Sequence, residues 1–352
     1  MESSAKERII YLDIIRIVAC FFVIVVHASS NQLYNYPPKS FDFQVSQFFN
    51  TLSITAPAIF FMISGALFLN PDAKDIPIKK LWGKYILRMA VAYVFWSYFF
   101  TFTIWLPYYT LSFETVKAYI LEFFNGIPMY HMWFILAIIT IYMVLPFLRP
   151  AFAEKQRCKY YLCLFIVIQI LIPTVLEFDF PHKHLIQSVY SRIPFFFCIS
   201  YLGYYVLGYY LSVENISRKM RIIIYGLGVL GLMTAVVIHG YSSVRHNTAT
   251  LRLNNLFSFN SFLFAAAVFV AFRYAPWKTA KHAKAISRLS NLTFGIYLIH
   301  PLYLKMVFNH FSFLLKAPAI VWIPAAALVT FLCSTVTIWV VSKIPIVNKY
   351  LI

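Results

Sequence analysis

Ten apolar segments, most of them long enough to cross a lipid bilayer, divide this chain and leave little choice of fold. They fall near residues 9–29, 48–69, 86–107, 131–149, 160–176, 195–211, 222–240, 256–274, 292–312 and 319–342, separated by polar, proline-bearing or charged breaks. Hydrocarbon offers no partners to a backbone, so such segments are predicted to be helices and the fold all-α. Composition agrees, because 61% hydrophobic residues and a mean hydropathy of +0.73 exceed what a soluble domain carries. The expected molecule is a polytopic integral membrane protein of about ten transmembrane helices, a single domain over residues 1–352.

A net charge of +18 would suggest a nucleic-acid partner for a soluble protein. Here the basic residues flank apolar segments instead of forming one patch, so nucleic acid is set aside and the lipid bilayer is the expected partner. With ten spans, one face receives Lys6 and Arg8, the clusters Lys74 to Arg88, Arg149 to Lys159, Arg218 to Arg221 and Arg273 to Arg288, and then Lys343 and Lys349. That face holds 21 of the 30 basic residues, against eight opposite (Lys39, Lys117, Lys183, Arg192, Arg245, Arg252, Lys305 and Lys316), with Arg16 inside a span. Both termini are therefore expected in the cytoplasm. The first segment carries Arg16 and lacks a small-residue cleavage site, so it is expected to remain as a span. The sixth, weakened by Gly203, Gly208 and several tyrosines, matters most, since its loss would reverse every later orientation. Cys20, Cys158, Cys163, Cys198 and Cys333 are dispersed and read as packing residues. His182 and His184, in PHKH, lack further ligands, and no metal is expected.

Within the first segment, Arg16 and His27 stand eleven residues apart. At about 100° per residue the second returns to within roughly 20° of the first, so both share one helical face, about 16 Å apart along the axis. Ionisable groups inside a span are costly and mark functional paths. The predicted orientation puts Arg16 in the inner half and His27 near the outer surface. Structural readings stand beside the functional ones: Asp13, three residues before Arg16, can neutralise it, and a histidine near a span end can be merely interfacial.

The segment YLDIIRIVACFFVIVVHASS, residues 11–30, resembles the first helix of acyltransferase family 3, whose signature is an arginine, ten residues and a histidine. FFMISGALF at 60–68, YHMWFILAIITIYMVLPFL at 130–148 and SNLTFGIYLIHPL at 290–302 resemble further segments of that family in the same order. The resemblance covers essentially the whole chain and looks closest to the stand-alone branch that includes the enterobacterial common antigen O-acetyltransferase. It implies an enzyme of the bacterial inner or plasma membrane that moves an acyl group, usually acetyl, from cytoplasmic acyl-CoA to a hydroxyl of a surface polysaccharide or its lipid-linked precursor. Under that implication Arg16 binds a donor phosphate, and the His27 imidazole receives the proton of the attacking hydroxyl.

Other residues have two readings each. In IPIKKLWGKYILR, Lys80, Lys84 and Arg88 recur at helical spacing and resemble the family's basic cluster, with lysines where arginines are common; they serve either the nucleotide or topology and anionic lipid. Ser64 and Gly65 allow close approach of a cofactor or of a neighbouring helix. His131 and Trp133 are acceptor-site residues by the resemblance and an aromatic belt by position. His300, before Pro301, is expected to satisfy a carbonyl freed by the proline, a supporting role like that of Asp13. Of twelve acids only Asp13 is clearly intramembrane, leaving Glu114, Glu122, Glu177 and Asp179, in or beside outer loops, as candidates to orient His27 or bind sugar. Two other functions compete: a carrier or flippase for a glycolipid or small anion, for which no inverted repeat is visible, and a non-catalytic assembly subunit, in which Arg16 and His27 would tolerate substitution.

Overall fold

The computed structural model describes residues 9–70, 76–105, 112–125, 129–194, 200–250, 252–277 and 282–352. Lys6, Arg8, Lys74, Cys198, Lys278 and Lys281, part of the sixth expected segment and the side chain of Glu122 lie outside the described residues. The helices are α1 (Ile10–Leu33), α2 (Phe41–Ser53), α3 (Ala56–Phe68), α4 (Ile78–Lys80), α5 (Leu87–Trp105), α6 (Phe113–Asn125), α7 (Trp133–Ala151) and α8 (Lys155–Leu164), then α9 (Ile172–Leu176), α10 (Lys183–Arg192), α11 (Leu202–Val213), α12 (Arg218–His246), α13 (Phe259–Tyr274), α14 (Ala283–His310), α15 (Ala319–Val341) and α16 (Pro345–Tyr350). No strand occurs among the described residues.

Seven stretches are long and apolar enough to cross a membrane: Ile10–Leu33, Phe41–Phe68, Ile78–Thr103, Trp133–Ala151, Lys155–Leu176, Arg218–His246 and Ala319–Val341. Three expected segments correspond to helices that fall short for identifiable reasons. α11, at 12 residues, covers only about 18 Å by itself. α13 is apolar but has 16 residues. α14 is long, at 28 residues, but its first half is polar, with Ser287, Arg288, Ser290, Asn291 and Thr293. Ser290, Asn291 and Thr293 line the cavity described below, and Ser287 donates to Asp13 beside it.

Several elements are broken where their sequence demands it. Pro57 opens α3, and α2 ends at Ser53, so the stretch Phe41–Phe68 is two helices meeting at an angle-tolerant step. Leu81–Ile86, between α4 and α5, and Phe165–Leu171, between α8 and α9, are π-helical, the latter just before Pro173. α3 and α11 approach so closely that a Cβ on Gly65 would fall on the Tyr205 carbonyl and one on Gly208 on the Met62 backbone. Gly65 therefore serves helix packing.

α1 packs against α2, α3, α13, α14 and α15 and is central to the bundle. The α2–α3 stretch is 61% buried and Lys155–Leu176 only 17%, so the latter is peripheral. Two apolar cores result, one around α3, α7, α11 and α13, the other around α1, α5, α14 and α15; Phe60, Met89, Phe134 and Ile139 pack against both. The helix ends gather into two groups. At one end Arg149 donates to the Asn70 carbonyl, Lys155 pairs with Glu214, and Arg273 donates to the Leu211 and Glu214 carbonyls. At the other, Arg252 pairs with Asp179 at 3.0 Å, Asn254 donates to Asn50 at 2.7 Å, and the Ala319 amide donates to Asp42 at 2.7 Å.

Candidate active site

A cavity of about 330 Å³ opens beside the first half of α1, on the seam between the two cores. Arg16 lines it from α1, Ser64 from α3, Arg88 from α5 and Tyr142 from α7. Arg16 is held in place by its own helix and by α14. Its Nη1 donates to Asp13 Oδ1 at 3.4 Å and to Ser290 Oγ at 3.1 Å. Asp13, 3% exposed, also accepts from Ser290 at 2.7 Å and Ser287 at 3.0 Å. A carboxylate and two hydroxyls thus offset the desolvation of a guanidinium inside a span, while that guanidinium still faces the cavity. Arg88 lies over the Phe294 ring at 5.7 Å, and its Nη2 donates to the main-chain oxygen of Ile352. Lys80 and Lys84 stand exposed and do not line the cavity. The stripe expected from α-helical spacing does not hold, because the π-helical Leu81–Ile86 changes the angular step between Lys80 and Arg88.

Toward the far end of α1 a second cavity, of about 160 Å³, is lined by His27, Ser30, His131, Trp133, Phe60, Phe134 and Tyr297 among others. Phe60, Phe134 and Tyr297 line both cavities, so the Arg16 and His27 chambers adjoin across three rings. His27 also faces a groove of about 490 Å³ with Ser30, Asn31, Tyr130 and Lys305. The imidazole of His27 stacks on that of His300, centroids 5.4 Å apart and planes 17° apart, and touches the Tyr130 ring at 4.4 Å. His131 is 2% exposed, with its ring 5.1 Å from His300 and 5.3 Å from Tyr297. It is not a surface belt residue. His300, fully buried, donates from Nδ1 to the Tyr297 carbonyl at 2.6 Å, which leaves Nε2 as the lone-pair nitrogen.

Three imidazoles, from α1, from the turn before α7 and from α14, thus meet in one place, although only His27 shares a helix with Arg16. The rings stack or meet edge-on, and no group of three or more His, Cys, Asp or Glu among the described residues is placed to hold a metal. Among the described residues no carboxylate lines either cavity or the groove. Glu177 is engaged by the Leu253 amide and by Asn255, Glu114 is exposed on α6, and Asp179 is bound by Arg252 and Lys183, which hold its carboxyl below the usual range. None of these three orients His27. Tyr142, Tyr297, Phe60, Phe134 and Ser290 also line the Arg16 cavity although no spacing marks them; the signal for Tyr297 and Ser290 is their place within SNLTFGIYLIHPL, beside His300.

Such an arrangement, a cation-bearing chamber adjoining one that holds an imidazole, can bind an anionic donor at one end and move a proton at the other. The acyltransferase domain model matches residues 9–339, so nearly every helix described above falls inside it. The chain belongs to acyltransferase family 3 and is a membrane acyltransferase. Neither the curated proteins nor the solved structures contain a match to it.

Proposed function

We propose that the protein takes an acyl group, acetyl before others, from acyl-CoA on the cytoplasmic side and transfers it to a sugar hydroxyl of a surface polysaccharide or its lipid-linked precursor. It is read as a relative of the enterobacterial common antigen O-acetyltransferase, set in a bacterial inner or plasma membrane with ten crossings and both termini cytoplasmic. The observation that carries this reading is the sharing of Phe60, Phe134 and Tyr297 by the Arg16 and His27 cavities. A donor whose phosphates rest at Arg16 and Arg88 would send its thioester past these rings and Ser64 toward His27, about 16 Å further along α1. Lys80 and Lys84, exposed before Arg88, draw the nucleotide by charge. His131 and Trp133 line the acceptor side, and the groove with Lys305 is the acceptor's approach.

In the transfer, the acceptor oxygen bonds to the thioester carbonyl carbon while its proton passes to a His27 nitrogen. The carbon–sulfur bond then breaks, and His27 returns that proton to the leaving thiolate. Asp13 keeps Arg16 in place, and His300 supports the His27 ring. The full chain in proteoliposomes, supplied with acetyl-CoA and surface glycan, tests the assignment. His27→Ala is expected to lower kcat roughly 10²- to 10⁴-fold with an unchanged melting temperature. Arg16→Lys is expected to raise KM for the donor about tenfold or more, since a planar bidentate contact is lost. Undiminished transfer by a folded His27→Ala protein would sink the role of His27. Deleting the protein and weighing the surface glycans identifies acyl group and acceptor together.

A further inference from the structure

Where α12 begins and α13 ends, a separate cavity of about 410 Å³ lies between the two helices, lined by Arg218, Arg221, Tyr225, Ala271, Tyr274 and Ala275 among others. Arg218 and Arg221 are three residues apart on the first turn of a 29-residue helix, so they share a face. Arg221 packs its guanidinium over the Tyr274 ring, 4.2 Å from the centroid, and its Nε is buried without a hydrogen-bond partner. Arg218 is exposed and forms no ion pair among the described residues. Neighbouring groups are already engaged. Arg273 donates to the Leu211 and Glu214 carbonyls, the nearby Glu214 carboxylate is paired with Lys155, and the Tyr274 hydroxyl accepts from the Ile216 amide at 2.8 Å.

The chamber therefore presents two guanidinium groups and the Tyr225 ring, and among the described residues no carboxylate lines it. Immediately after Arg221, Ile222 is 61% exposed and Ile223 44%, an apolar surface on a helix apolar enough to span the membrane. Charge at the rim with apolar surface beneath it suits an amphiphile whose anionic group sits at the bilayer boundary. Bidentate geometry and anionic complementarity both favour phosphate. We propose that the Arg218–Arg221 chamber is a phosphate-binding site, occupied by the headgroup of an anionic phospholipid lying between α12 and α13.

The site is independent of the acyl-transfer reading and is tested without activity. The full chain is placed in nanodiscs of phosphatidylcholine with or without phosphatidylglycerol, then released gently and weighed by native mass spectrometry. Wild-type protein is expected to retain phosphatidylglycerol in preference to phosphatidylcholine, and Arg218→Gln/Arg221→Gln to lose roughly thirty-fold of that preference, from two charges acting near the surface. Lys343→Gln/Lys349→Gln, which removes two cations elsewhere, is expected to keep it. Heat stability in phosphatidylcholine discs with inorganic phosphate separates the sources: protection equal to that by phosphatidylglycerol assigns a soluble phosphate, and absence of protection assigns the headgroup. If the double variant does not fold, Arg218→Gln alone removes an exposed side chain and gives the same reading. Equal retention of phosphatidylglycerol by the wild type and the folded variants overturns the proposal.

Discussion

Pro301 has no amide hydrogen, so the Tyr297 carbonyl loses the donor that residue 301 would supply in an unbroken helix. The Nδ1–H of His300 takes that place at 2.6 Å, and the same bond turns the ring so that it stacks on His27. One side chain thereby repairs the backbone and packs the imidazole proposed to carry the proton. This makes a measurable prediction at the residue scale. His300→Phe keeps a planar ring but loses the donor, and is expected to cost about 1–2 kcal/mol of unfolding free energy in detergent. In a Pro301→Ala background the restored amide serves the carbonyl, so the same substitution is expected to cost about 1 kcal/mol less; a double-mutant cycle reads the difference. A coupling near zero would separate His300 from the proline. The supporting bond was legible from HP alone, because local geometry settles it. Its second contact, with His27 on another helix, has no signature in local spacing.

Among the elements, the approach of α3 to α11 is the tightest constraint, and it explains why FMISG divides its labour. Ser64 lines the donor cavity while Gly65, one residue on, meets the α11 backbone. Gly65→Ala and Gly208→Ala are both expected to destabilise the bundle by about 1–3 kcal/mol or more, since backbone cannot move aside as a flexible side chain does. Gly226→Ala, with open space around it, is the neutral comparison, and thermal unfolding of the three variants checks the ranking. Spacing alone does not divide Gly65 between cofactor and helix contact, since either partner needs a small residue. The π-helical Leu81–Ile86 marks the opposite limit: a basic stripe through Lys80, Lys84 and Arg88 needs an α-helical step that this segment does not keep, and Arg88 reaches the cavity while Lys80 and Lys84 do not.

For the whole molecule, the two groups of helix ends make topology testable. In a cysteine-free background, single cysteines at Ser217 and Lys349 are expected to react with an impermeant thiol reagent only from the cytoplasmic side, and cysteines at Asn31 and Lys305 only from outside. Labelling of Ser217 and Lys305 from the same side would break the proposed orientation. The all-helical class follows from the chain alone: long apolar segments cannot leave backbone groups unpaired in hydrocarbon, and no tertiary contact is needed to reach that result. The common face of Arg16 and His27 follows equally, since it rests on the helical repeat within one element. Packing settled the rest. Ser287 and Ser290 gather around the Asp13–Arg16 pair of α1, and His131 and His300 around His27, from elements far apart in sequence. No periodicity relates such positions; what brings them together is the close seating of α1 among its five neighbours, which depends on the shapes of all their surfaces at once.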